Sequence, residues 1–94
     1  MIEKASDSQV ESFLSAHPTW RLREGKLYRR FQFDDFTQAF AFMARVALVA
    51  ERENHHPEWC NVYSQVEVNL VTHEAGGLTE RDFSLARTME EFAS

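Results

Sequence analysis

Three of the four histidines, His55, His56 and His73, carry the clearest chemical signal in the chain. An imidazole has an ordinary pKa of about 6.5, so it can both give and take a proton near neutrality. Glu51 stands four residues before His55. If a helix ran through that segment, the two would share a face, and the carboxylate would orient the ring or accept a substrate N–H. The three histidines together suit a metal-free acid–base site. Two other readings compete. A His-His pair at a helix C-terminus can be a surface feature favoured by the helix dipole. His55, His56, Cys60 and His73 are also possible metal ligands. Yet the chain has no paired C-x-x-C or H-x-x-x-H, and adjacent histidines diverge. Cys60 sits in a strand-like run between Trp59 and Asn61, where a free thiol reads as packing rather than as a nucleophile. There is no Gly-rich phosphate loop, G-x-S-x-G elbow or EF-hand.

The scaffold must come from 94 residues, which is one domain's worth of chain over 1–94. Its core is modest for that length, helped by eight Phe, two Trp and two Tyr. The formal charge of −5 argues against a nucleic-acid binder. The nearest basic cluster, Arg21, Arg23, Lys26, Arg29 and Arg30, is interrupted by Glu24 and reads as a solvated hairpin. One cysteine permits no internal disulfide. With no apolar leader after Met1, a cytoplasmic location is expected. The longest apolar stretch, Phe36 to Ala50, is too short and too mixed to span a bilayer.

Ser8 and Glu11 have capping-box spacing for a first helix, with Val10, Phe13 and Leu14 as its stripe. Pro18 ends it near His17. Trp20–Arg23 and Lys26–Phe33 read as strands joined by a Glu24-Gly25 turn. Asp34 or Asp35 then caps a helix from about Phe36 to Glu53. Phe36, Phe40, Met43 and Ala47 form one face of it, and Phe42, Val46 and Val49 form another. Two apolar faces imply a second burial partner, so a homo-oligomer contact is expected here. Trp59–Tyr63 and Gln65–Thr72 read as a second strand pair ending at His73, with Gly76-Gly77 as a turn. Thr79 and Asp82 cap the last helix, whose buried side is Phe83, Leu85, Ala86, Met89 and Phe92. The order is α-β-β-α-β-β-α. It suggests an α+β two-layer sandwich, an antiparallel four-stranded sheet with helices on one face. Strands that return to a helix end could bring His73 beside His55 and His56.

Glu51-x-x-x-His55-His56-Pro57, then five residues to Tyr63, nine to His73 and eight to Asp82, resembles the signature of the pterin-4a-carbinolamine dehydratases. The runs His55-His56-Pro57-Glu58-Trp59, Asn61-Val62-Tyr63, Thr72-His73-Glu74 and Gly77 to Asp82 look like that family too, as do Trp20 and Phe31-x-Phe33-x-Asp35-Phe36. The likeness covers nearly the whole chain.

The resemblance implies a hydro-lyase. It would remove water from a 4a-hydroxy-tetrahydropterin to give the quinonoid dihydropterin, in tetrahydrobiopterin recycling beside an aromatic amino-acid hydroxylase. That elimination demands no metal, cofactor or covalent intermediate. By the likeness, His55 and His73 would be general acids at the leaving hydroxyl. His56 would hold or deprotonate the pterin, with Glu51 assisting. Asn54, Pro57, Trp59, Val71, Thr72 and Glu74 would line the site. Asp82 is divided between capping the last helix and supporting the site. Family protomers pair through strand edges and stack through the long helix, so a homodimer or homotetramer is implied. The contrasting expectation is a non-catalytic interaction module, or coactivator, that binds a partner through the Phe36–Ala50 helix.

Overall fold

A computed structural model describes residues 2–94. The elements are α1 (Asp7–Ala16), β1 (Arg21–Arg23), β2 (Lys26–Gln32), α2 (Phe36–Arg52), β3 (Glu58–Val62), β4 (Gln65–Leu70), a 3-10 turn (His73–Ala75) and α3 (Glu80–Ala93). The four strands form one antiparallel sheet in the order β1-β2-β4-β3. The α+β order and the open sheet agree with the pattern of alternation.

Register explains the two faces of the sheet. Leu27 pairs with Leu70 and Phe31 with Val66, while Trp59 lies opposite Val68. Cross-strand partners point to the same side, so these apolar residues make one continuous inner face. Phe13 of α1, Phe42 and Val46 of α2, and Phe83, Ala86 and Met89 of α3 close over it. The opposite face is polar, and it buries one residue the alternation placed outside. Tyr28 is covered by the guanidinium groups of Arg21 and Arg23, 5.0 and 4.5 Å from its ring centre, and its hydroxyl donates to Glu67 at 2.5 Å. The basic hairpin is therefore only partly a solvated face. Arg29 is drawn in as well, lying over Phe31. Burial holds its guanidinium below the usual arginine range, with Glu90 opposing that shift.

Several boundaries differ from the sequence pattern. Helix α1 starts earlier than the Ser8–Glu11 spacing suggested. Ser6 is the cap, and Gln9 completes the reciprocal box by accepting from Ser6 N at 2.8 Å. Leu22 is half exposed although it pairs with buried Leu27, because β1 is a three-residue edge strand. Cys60 is exposed on edge strand β3, so its thiol is not packed in the core. The inward face of α2 is Ala39, Phe42, Val46 and Ala50. Phe36, Phe40 and Leu48 face out, and Met43 packs against the core from the side. Among the described residues, no helix is long and apolar enough to cross a membrane.

The end of α2 sets the direction in which the first two histidines leave the helix. The backbone N–H of His55 donates to Ala50 O at 3.0 Å, and that of Asn54 donates to Glu51 O at 3.2 Å. These are the two bonds of a Schellman motif, which needs a left-handed residue just past the cap. Asn54 supplies it with φ of 52°. The helix therefore stops at Arg52, and the chain reverses before His55. Asn54→Gly should leave stability nearly unchanged in urea unfolding, whereas Asn54→Val should lose about 1–3 kcal/mol through strain at positive φ.

Candidate functional site

Reversal after Asn54 decides which carboxylate meets which imidazole. Glu51 does not reach His55, because the helix does not persist that far. It accepts instead from His56 Nε2 at 3.0 Å, in an exposed pair. His55 turns inward. It is 8% exposed, and its Nε2 lies 2.6 Å from Asp82 Oδ1.

Asp82 is fully buried and both its oxygens are engaged. Its Oδ2 accepts from the Thr79 backbone N–H at 2.9 Å and from the Thr72 hydroxyl at 2.8 Å. Thr79 Oγ1 in turn lies 2.8 Å from Thr72 Oγ1. One side chain thus caps α3 and also holds the His55 ring. A capping box needs an acceptor at this position in any case. Orienting that carboxylate with Thr72 leaves its second oxygen free for the histidine. The proton of the neutral ring must then sit on Nε2, which leaves Nδ1 with the lone pair.

His73 does not end a strand. Strand β4 stops at Leu70, and His73 opens the 3-10 turn. Thr72 and Gly77 pinch that loop shut with a bridge, Thr72 N donating to Gly77 O at 3.0 Å. Gly76 closes it at φ of 74°, where a side chain would be strained. His73 is 72% exposed by side chain, and its Nε2 lies 2.8 Å from Glu58 Oε2. Glu58 Oε1 accepts from Lys26 Nζ at 2.6 Å. Hydrogen bonds to Lys26 and then to His73 hold the Glu58 carboxyl below its ordinary value.

The segments 51–59 and 72–74 are therefore stitched at two points. Asp82 joins His55 to Thr72, and Glu58 joins the strand after His56 to His73. In all three histidines the Nε2 edge faces a carboxylate. The three pairs run from buried (His55–Asp82) to open (His56–Glu51 and His73–Glu58). Such an arrangement can hold imidazoles in fixed orientations and supply protons from more than one side.

The other sequence candidates scatter around this frame. Asn54 is exposed and makes the helix-ending turn, Pro57 and Val71 are half-buried, and Glu74 is exposed with its carboxylate 3.6 Å from Arg81. Trp59 packs against the core cluster and lines a cavity of about 350 Å³ on the outer sheet face with Lys26, Tyr28 and Glu58. A second cavity of about 480 Å³, between α2 and α3, takes in His55 beside Arg52, Arg81 and Leu85. Sequence reasoning missed Lys26 and missed Glu58 as a histidine partner. The period-2 pattern began the strand at Trp59, one residue after Glu58, and only the register of both hairpins could have brought Glu58 to His73.

Comparison with known proteins agrees over the whole fold. The family model described as Pterin 4 alpha carbinolamine dehydratase matches residues 3–92. A protein of Nitrobacter winogradskyi named "Putative pterin-4-alpha-carbinolamine dehydratase" is 53% identical over 95 residues, covering 99% of this chain and 94% of its own. One of the same name from Rhodopseudomonas palustris is 50% identical over 96 residues, covering 100% of this chain and 95% of its own. The crystal structure of a transcriptional coactivator/pterin dehydratase from Brucella melitensis superposes with a TM-score of 0.93 at 41% identity, covering 98% of this chain and 100% of that one. Matched from end to end in sequence and in fold, the chain belongs to the pterin 4 alpha carbinolamine dehydratase family, named for a hydro-lyase activity.

Proposed function

We propose that this chain, as one dehydratase domain over residues 1–94, removes water from a 4a-hydroxy-tetrahydropterin by histidine acid–base catalysis. The observation that supports the reading is that His55, His56 and His73 each have Nε2 on a carboxylate, with Asp82 and Glu58 tying the 51–59 segment to the 72–74 loop. In the reaction the C4a–O bond breaks and the hydroxyl leaves as water after taking a proton. The adjacent ring nitrogen gives up its proton, and the electron pair of that N–H bond forms the new C=N bond. An acid and a base near neutral pKa suffice. His55 and His73 act as acids at the hydroxyl in their imidazolium form, giving the Nδ1 proton while Nε2 stays on its carboxylate. His56, oriented by Glu51, holds or deprotonates the pterin. Asn54, Pro57, Trp59 and the Val71–Glu74 segment line the substrate. The product is a quinonoid dihydropterin, returned to the tetrahydro form in the recycling that serves aromatic hydroxylation, in the cytoplasm.

The outward face of α2 supports a homo-oligomer. Phe36, Phe40 and Leu48 are 53%, 57% and 75% exposed on one helix, an unusual apolar display for a free protomer. The same face would serve a protein partner if the chain were a non-catalytic module.

A spectroscopic dehydration assay on chemically generated carbinolamine tests the reading. The double variant His55→Ala/His73→Ala should lose about 10²–10⁴ in kcat while keeping its fold, the usual range for general acid–base groups. Turnover equal to wild type in a folded double variant refutes it. Asp82→Ala should lower stability by about 1–3 kcal/mol, because the Thr79 N–H and Thr72 hydroxyl are left buried and unpaired. Asp82→Asn should keep more of that stability yet still lower kcat. In sedimentation velocity, wild type should run as a dimer or larger, well above the 11.0 kDa protomer, and Phe40→Asp should shift it to smaller species. Phe42→Asp would not serve, since Phe42 lies in the core.

A further inference from the structure

Glu58 and Lys26 lie outside the acid–base set, yet they are joined to it. Lys26 opens β2 and Glu58 opens edge strand β3. The sheet brings them together through β4, because Lys26 precedes the Leu27–Leu70 pair and Glu58 lies opposite Asn69. The Glu58 carboxylate then divides its two oxygens, Oε1 to Lys26 Nζ at 2.6 Å and Oε2 to His73 Nε2 at 2.8 Å. His73 itself is mostly exposed, on a pinched loop that leaves its ring largely in solvent.

We propose that Glu58, anchored by Lys26, is a positioning residue that sets the orientation of His73 and leaves its Nδ1 as the nitrogen presented to substrate. The inference rests on the dehydratase reading for its catalytic consequence. Three features support it. A carboxylate accepts only, so a neutral His73 in this contact carries its hydrogen on Nε2. The charge-assisted contact to Lys26 is short, and it limits the rotamers open to a long, half-exposed glutamate. The remaining charges nearby have other geometry. Arg23, Glu24 and Glu67 line the adjoining cavity with Lys26 and Glu58, Glu67 is engaged by the Tyr28 hydroxyl, and Glu74 faces Arg81. The downward shift of the Glu58 carboxyl, caused by Lys26 first and His73 second, agrees with a carboxylate held between two donors. Its sign follows. The contact is complete above the ordinary carboxylate range, and it is lost as pH falls through the lowered value.

Two measurements on the full chain test the proposal. Carbon-13 NMR of the Glu58 carboxyl should show its titration rising toward the ordinary carboxylate value in Lys26→Met, and rising by less in His73→Ala. Kinetically, Glu58→Gln should lower kcat about tenfold with KM little changed, and it should have no further effect in a His73→Ala background, the non-additivity of groups acting as a unit. A Glu58 titration indifferent to His73→Ala overturns the proposal. So does a kcat loss in Glu58→Gln that persists undiminished when His73 is already alanine. If the titrations move as stated but wild type turns over no carbinolamine, the pairing stands and the dehydratase reading fails.

Discussion

A carboxylate with no solvent contact sits where three segments meet. Asp82 takes hydrogen bonds from the N-terminus of α3, from the threonine that closes the β4 loop, and from the imidazole that follows α2. Burying a carboxylate is tolerable only when its lone pairs are filled, and here every donor comes from a different part of the chain. The arrangement ties the position of His55 to the cap of α3. It also fixes Thr72, and through Thr72 the loop that displays His73. Removing the shared acceptor strands its donors in a dry environment, so the fold and the candidate site share a single point of failure.

Around this fixed point the histidines differ in freedom. His55 is held by a buried partner on a helix terminus. His56 and His73 are held by glutamates that are themselves exposed. Under the proposed function, a rigid acid at His55 with more adaptable rings at His56 and His73 would suit a substrate that must enter, be gripped and leave as a flat ring. Placement on helix ends and a pinched loop, rather than in the sheet, leaves the strands free to supply rigidity. The cost is that orientation at His73 depends on one half-exposed carboxylate and its lysine.

Much of the fold was legible from pattern alone. The run 65–72 reads as a strand, and its alternate residues Val66, Val68 and Leu70 are the inner face of β4. The Pro18 stop and the Asp35 and Thr79 caps located helix boundaries to within a residue. Those signals are local, and each rests on one residue's backbone chemistry. The histidine partners were not legible in the same way. Glu51 at four residues from His55 looked like its partner, but a left-handed asparagine between them turned the chain. Glu58 meets His73 only because two hairpins pair in one register. Long-range contacts of that kind depend on the whole sheet, which no window of sequence contains. Ser8 lost the α1 cap to Ser6 for a smaller reason: glutamine completes the box as well as glutamate does.

Imidazoles from both stitched segments should read a single pterin ring. The direct measurement is a titration of histidine-labelled protein with a stable dihydropterin, followed by NMR of the ring nitrogens. His55, His56 and His73 should all shift with one saturation curve, while His17, paired with Glu90 beside α1, stays still. Shifts confined to one segment, or appearing at His17 and the outer face of α2 instead, would contradict the account.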